Sequence, residues 1–373
     1  MEERTTVGID LAKDVLAICI LDHRGGVVDR KVLRRAAFER WAESLVQPCT
    51  VAMEACGSAH HWGRFFAARG HTVRLLPAEF VVPFRQGGKN DGNDALAIAV
   101  AAHQPTMRCV PIKTVEQQAI LSWHRARSGF NDERTALINR LRGLLAEFGI
   151  VIAQSSDRLL KALPGLTSDE RVPMPLRALL LEAREQFAAL QARIARCDVE
   201  IGAHARDNES ARRAREVLGV GPLTASAFAA TVPDPRLFRH GRQLGAWLGL
   251  TPRQASSGGK TRLGECSRRG DVYLRTLLVQ GARSALQVAL ATPPDKATHL
   301  QRWIAGLYAK KGYHKTLVAI ANKHARILWA MLARDQHYDP KAWQRHPRAA
   351  AGTTAAPAAT AATAATPTAA ACA

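Results

Sequence analysis

From Leu180 to Ile201 the apolar residues Leu180, Ala183, Phe187, Leu190, Ile194, Cys197 and Ile201 alternate steps of three and four without a miss. A heptad seam of this kind commits the segment to one helix about 33 Å long. Two arrangements satisfy its stripe: packing on its own domain, or a coiled-coil arm between subunits. The segment before it, from Val115 to about Gly149, also reads as helical. Leu137, Leu141, Leu144, Leu145 and Phe148 share one face there, and Arg125, Arg127, Arg134, Arg140 and Arg142 are spread along its length. Breakers at Pro164, Gly165, Pro173 and Pro175 separate the two.

The first hundred residues follow a different rule. Val7–Asp10, Val15–Leu21 and Val27–Leu33 are rich in β-branched and apolar residues, with the turn Asp22-His23-Arg24-Gly25-Gly26 between the last two. Ala36–Val46 places Phe38, Trp41, Ala42 and Leu45 at helical spacing. Strand Thr50–Glu54, helix Ala59–Ala68 and strand His71–Leu76 follow. Three strands, then alternating helices and strands, is the order of a ribonuclease-H-like α/β fold, although other α/β domains share it.

The formal net charge of +20, from 52 Lys plus Arg against 32 Asp plus Glu, favours a polyanionic partner, and nucleic acid is the commonest one. No apolar run approaches the ~20 residues that cross a bilayer; the longest is Ala95–Ala102. The charged start MEERTTVGID does not read as a signal peptide. Seven scattered cysteines without a CxxC pair read as reduced cytosolic thiols, so a cytoplasmic protein is expected.

Four acids stand out. Asp10 ends the first strand in VGID, and Glu54 ends a later one in VAME. Asp91 and Asp94 lie at i and i+3 in KNDGNDALAIA, where a polar turn enters an apolar helix. Singly, each has an ordinary reading: an N-cap, a surface turn, a partner for an arginine. Together they can converge on one point. Such a cluster is costly without cations, and Mg²⁺, hard and oxygen-seeking, suits it. Two such ions can clamp an in-line phosphoryl displacement.

The chain resembles the DEDD transposases of the insertion-sequence one-hundred-ten family, in particular its eleven-eleven subgroup, over nearly all of residues 4 to 338. VGIDLAKD, MEACGSAHHW and GGKNDGNDALAIA are similar to that family's RuvC-like nuclease motifs. The resemblance implies that Asp10, Glu54, Asp91 and Asp94 are the catalytic, metal-binding tetrad.

A second, mostly helical domain is expected to carry Gly219-Val220-Gly221 between helical runs. This reads equally as a helix-hairpin-helix that brings backbone N–H groups to a phosphate and as a tight turn between packed helices. Between Leu248 and Leu278, the basic residues Arg253, Lys260, Arg262, Arg268, Arg269 and Arg275 surround a Ser256-Ser257-Gly258-Gly259 loop. A serine before glycine is most often a plain turn. The resemblance assigns Ser257, directly before the glycine, as a nucleophile that forms a phosphoserine link to DNA, with Ser256 as its control. AKKGYHKTLVAIANKHARILWAML is similar to the subgroup's C-terminal helix, with Lys310, Lys311, Lys315, Lys323 and Arg326 expected on nucleic-acid backbone or on a solvated face.

The expected organisation is therefore a RuvC-like α/β nuclease domain over 1–112 and a helical coiled-coil region over 113–210. A mostly α-helical transposase domain with a helix-hairpin-helix-like motif follows over 211–340, then a disordered Ala/Thr tail over 341–373. From Ala349 onward that tail holds 15 Ala and 6 Thr among 25 residues and no charge. The resemblance further implies Mg²⁺-dependent recombination of donor and target DNA that excises, circularises and inserts a mobile element. It also implies guidance by a bridge RNA, and a homo-oligomer, dimer assembling to tetramer, with active sites shared between subunits. Two rivals share parts of this pattern: a structure-selective junction nuclease that uses water and needs no serine, and a basic nucleic-acid-binding protein with a dead nuclease fold.

Overall fold

The computed structural model describes residues 5–88 and 90–345, and these divide between two compact units. Met1–Ile201 with Ala229–Pro233 forms the first, and Gly202–Phe228 with Asp234–Ala373 the second. The helical middle expected as a separate region is grouped largely with the first unit.

The first unit opens with β1 (Thr6–Asp10), β2 (Val15–Leu21) and β3 (Val27–Arg34), then α1 (Arg35–Glu43), β4 (Thr50–Glu54), α2 (Ala59–Ala67) and β5 (Thr72–Leu76). A single-turn α3 (Ala78–Val81) and the longer α4 (Asp91–His103) follow. The sheet order is β3-β2-β1-β4-β5, with β1 antiparallel to β2 and parallel to β4, which is in turn parallel to β5. A three-stranded meander extended by two parallel strands fits the ribonuclease-H-like expectation.

The strand period of two sorts side chains to opposite faces. Val7 and Ile9 of β1 and Leu16 and Ile18 of β2 pack with Phe38 of α1 and with Trp62 and Phe66 of α2. Ala17, Cys19 and Leu21 instead pack with Ala95 and Ala99 of α4. Gly8 faces that second layer. A Cβ there would stand 2.4 Å from the Ala95 carbonyl oxygen and 2.6 Å from the Ala99 nitrogen, so only glycine lets α4 lie directly on β1. Both ends of α4 are held: Asn90 accepts from the Asn93 N–H at 2.8 Å, and Arg74 of β5 donates to the carbonyls of Ala102 in the last turn and of Gln104 and Met107 just past it.

The same unit contains α5 (Val115–Ala146) and α6 (Ser156–Leu166) and most of α7 (Met174–Asp207). All seven seam residues of α7 are buried. Leu180, Ala183, Phe187 and Leu190 share a core with Leu137, Leu141 and Leu145 of α5 and with Leu159 and Leu163 of α6. Further along, Arg193 stacks over Phe130, Arg196 over Trp123, and Arg127 pairs with Asp198 at 2.5 Å, so α5 and α7 run antiparallel. Of the two arrangements open for the seam, packing on its own domain is the one found. Phe148, expected on the apolar face of α5, is 41% exposed because the helix ends before it.

The second unit is built from α8 (Glu209–Ala214), most of α9 (Pro222–Thr231), α10 (Gly241–Trp247), α11 (Val272–Ala291), α12 (His299–Lys311) and α13 (Tyr313–Ala333). A two-stranded hairpin, β6 (Pro252–Gln254) with β7 (Leu263–Cys266), stands where only a glycine-rich break was expected. The C-terminal helix expected as one element is two, broken at Gly312 with φ +71°. Of the tail, residues 341–345 are described, as a short 3₁₀ turn at Ala342–Arg345; the Ala/Thr stretch itself lies outside the described residues.

Candidate active site

Asp10 is the last residue of β1 and Glu54 the last of β4. The two strands are parallel neighbours with Ile9 opposite Met53, so the two acids leave the sheet side by side at its carboxyl edge. Asp91 is the first residue of α4, and Asp94 lies in its first turn, 8% exposed. The N-cap of α4 is Asn90, so neither aspartate is needed as a cap. The close approach at Gly8, two residues before Asp10, sets the start of α4 over the strand end.

The consequence appears in the ionisation of Asp10. Burial and then the negative charges of Asp94, Glu54 and Asp91 push its carboxyl up to about 6, with the Arg85 guanidinium opposing them. The thiol of Cys56, just past Glu54, is pushed up by burial and by the charges of Glu54 and Asp10. The other three acids thus all bear on Asp10.

Arg85, absent from the sequence expectations, forms an ion pair with Asp94. It follows the 3₁₀ turn Val82–Phe84, and among the described residues it is the cation that opposes the acids at Asp10. The donor chemistry of four carboxylates fits a hard divalent cation. Among the described residues, no three acids, histidines or cysteines are close enough as placed to hold an ion. Like charges at one edge repel, and one of these carboxylates, Asp94, is engaged by Arg85.

In the second unit, Ser257 and Lys260 bridge across a tight turn whose central residues, Gly258 and Gly259, have φ +54° and +76°. Positive φ at both positions is what a two-residue hairpin turn requires, and glycine supplies it without strain. The two serines differ. Ser256 Oγ accepts from the Arg262 N–H at 3.2 Å and from Gln254 Nε2 at 3.0 Å, which ties it into the hairpin. Ser257 stands exposed at the tip.

Arg253, Lys260, Arg262, Arg268 and Arg269 are all exposed around this hairpin. Arg275 is not part of that surface; it donates to the carbonyls of Leu248 at 3.1 Å and Arg269 at 2.9 Å. Gly219 is explained by packing, because a Cβ there would lie 2.3 Å from the Gly281 carbonyl oxygen of α11. Gly221 has open space around it, and both glycines line a cavity of about 480 Å³ with Arg283 and Gln287 of α11. Lys310, Lys311 and Lys315 are exposed at the α12–α13 break, as is Arg326. Lys323 instead stacks over the Trp303 ring at 4.4 Å, and burial lowers its ammonium from the ordinary value.

Known proteins match this chain along most of its length. A DEDD-type transposase model matches residues 7–150, and the model described as Transposase IS116/IS110/IS902 family matches residues 211–298. A probable family 20 transposase of Pseudomonas aeruginosa is 46% identical over 90% of this chain and 98% of its own. The transposase for insertion sequence element IS1111A of Coxiella burnetii is 40% identical over 91% and 92%, and that for IS1328 of Yersinia enterocolitica 34% over 89% and 97%. Among the described residues no helix is long and apolar enough to cross a membrane.

Proposed function

The chain belongs to the IS116/IS110/IS902 transposase family, and from that premise we propose how its residues recombine DNA. Asp10, Glu54, Asp91 and Asp94 act as one carboxylate site, and Ser257 is the nucleophile. The observation that carries the first half is the charge of Glu54, Asp91 and Asp94 bearing on the carboxyl of Asp10. A divalent cation such as Mg²⁺, held by oxygens of these four, would supply Lewis-acid polarisation of a DNA phosphate.

Ser257 supports the second half by its place: exposed, at a two-glycine turn, inside a rim of Arg253, Lys260, Arg262, Arg268 and Arg269. Its Oγ gives up its proton to solvent as it attacks phosphorus, the bridging P–O bond breaks, and the departing deoxyribose oxygen takes up a proton from solvent. A sugar hydroxyl of the partner strand reverses the step and rejoins DNA. The rim cations contact phosphates, not base edges, which suits a protein whose sequence information comes from a bridge-type RNA paired with donor and target. The working unit is a homo-oligomer, dimer assembling to tetramer, in which the carboxylates of one subunit serve the serine of another.

Calorimetric titration of Mg²⁺ into the full chain and its Asp10→Asn and Glu54→Gln variants tests the carboxylate site. Binding by the parent, weakened about tenfold or more in each variant, is expected. Equal binding by all three proteins would dissolve the site.

A further inference from the structure

The β6–β7 hairpin keeps one register from Gln254 to its tip. Gln254 stands opposite Leu263, and the Ala255 N–H donates to the Arg262 carbonyl at 3.0 Å. Ser257 bridges Lys260, whose N–H donates to the Ser257 carbonyl at 3.0 Å. A side-chain period of two then sorts the ribbon into two faces. Ala255 and Ser257 fall on one face with Arg262 and Lys260, the residues opposite them. Arg253 extends that face: a Cβ on Gly264, two residues past Arg262, would stand 3.9 Å from the Arg253 Cβ. Ser256 lies on the other face, where Gln254 Nε2 donates to its hydroxyl at 3.0 Å.

The cations are therefore not spread evenly around the serine. Lys260 is directly opposite Ser257, and the Cβ atoms of such a cross-strand pair stand about 5 Å apart. Arg262 is one pair further from the tip and Arg253 further still, while Arg268 and Arg269 lie beyond the end of β7. The two residues between Ser257 and Lys260 are glycines with open space around them, so no side chain of the turn covers the hydroxyl or the ammonium. Attack on a phosphodiester draws negative charge onto its non-bridging oxygens, and a cation already in place stabilises that state without reorganisation. Lysine suits the task as a compact point charge on a long stem, able to reach a phosphate held against the neighbouring hydroxyl.

We propose that Lys260 is a catalytic residue whose ammonium contacts the non-bridging oxygens of the phosphate that Ser257 attacks. Arg262 and Arg253, behind it on the same face, hold successive phosphates of that strand. Lys260 keeps its proton throughout; the bonds that form and break are those of Ser257 Oγ and the bridging oxygen at phosphorus. The proposal rests on the reading of Ser257 as the nucleophile.

The test follows the rate of covalent adduct formation by the full chain at saturating DNA, with donor, target, guide RNA and Mg²⁺. Two versions of the DNA are compared. One carries the natural scissile phosphate, located first from the adduct of the parent. The other carries a methylphosphonate there, each diastereomer used separately, which removes the negative charge and keeps both bridging bonds. On natural DNA Lys260→Gln should be slower than the parent by about a hundredfold, and Lys260→Arg should recover much of that loss. On the methylphosphonate the parent and Lys260→Gln should react at nearly the same rate, because the charge that Lys260 meets is gone. A hairpin merely disturbed by the substitution would slow both DNAs alike, and that result overturns the proposal. An unchanged rate on natural DNA, or a Lys260→Arg variant as slow as Lys260→Gln, overturns it too. If neither diastereomer reacts with the parent, the Lys260→Arg comparison decides. Circular dichroism checks folding, and the slope of log affinity against log salt should fall by about one in Lys260→Gln, with DNA still bound. A parent that forms no adduct, or a Ser257→Ala variant that still forms one, removes the nucleophile reading and Lys260 with it; a normal adduct rate from Lys260→Gln removes Lys260 alone.

Discussion

Asp10 is held in a place where its charge is unwelcome, and the pH dependence of stability should show it. Its carboxyl titrates near 6 in the fold against an ordinary 3.8. Below about pH 4 it is protonated folded and unfolded, and contributes nothing. Between about 4 and 6 the folded chain keeps a proton that the unfolded chain has lost, so stability falls as pH rises, and above 6 the loss is constant. Two pK units correspond to about 3 kcal/mol, and solvent around this half-buried group reduces that to about 1–2. Asp10→Asn should therefore exceed the parent in urea denaturation with EDTA by about 1–2 kcal/mol near pH 7 and match it near pH 4; a gap that fails to open contradicts the charge cluster. Arg85→Met should cost about 1–3 kcal/mol by leaving Asp94 buried without its cation. Mg²⁺ should then raise the melting temperature of the variant more than that of the parent, and equal shifts would separate Arg85 from the site. The acids were legible in the sequence because strand ends and a helix start mark their places. Arg85 was not, since its pairing depends on the path of residues 82–90, and no periodicity records a path.

At the scale of elements, α4 depends on Gly8. Gly8→Ala puts a methyl against the backbone of Ala95 and Ala99, which must move. Overpacking of this kind costs about 1–3 kcal/mol, and it should lower Mg²⁺ affinity as well, because Asp91 and Asp94 ride on the displaced helix. A melt that falls with unchanged metal binding would show α4 positioned by other contacts. In α7, Leu190→Ala should cost about 2–5 kcal/mol, with no change in oligomeric state by sedimentation, because Leu190 packs in a core shared with α5 and α6 of the same chain. The strands of the sheet could be read because alternation reports which face is buried, and all five appear within a residue or so of their expected bounds. The β6–β7 hairpin could not. Its residues are almost wholly exposed, so nothing periodic marks it, and only the paired glycines hint at its turn. The seam showed that α7 needs a partner without saying whose helix it would be, since spacing carries no information about which chain supplies the opposing stripe.

For the whole molecule, the family and the net charge of +20 agree on nucleic acid, and the proposed roles fall on two units: carboxylates in the first, Ser257 in the second. If active sites are shared between subunits, mixing the inactive Asp10→Asn and Ser257→Ala proteins should restore part of the activity, and no recovery at any ratio would place both halves in one chain. The most direct measurement is a denaturing gel for protein-linked DNA after incubation with donor, target, guide RNA and Mg²⁺. The parent should give a covalent adduct, Ser257→Ala should give none while still binding DNA, and Ser256→Ala, whose hydroxyl only braces the hairpin, should remain close to the parent. An undiminished adduct from Ser257→Ala, or strand cleavage by the parent with no adduct at all, would contradict the account, the second in favour of a water-using nuclease.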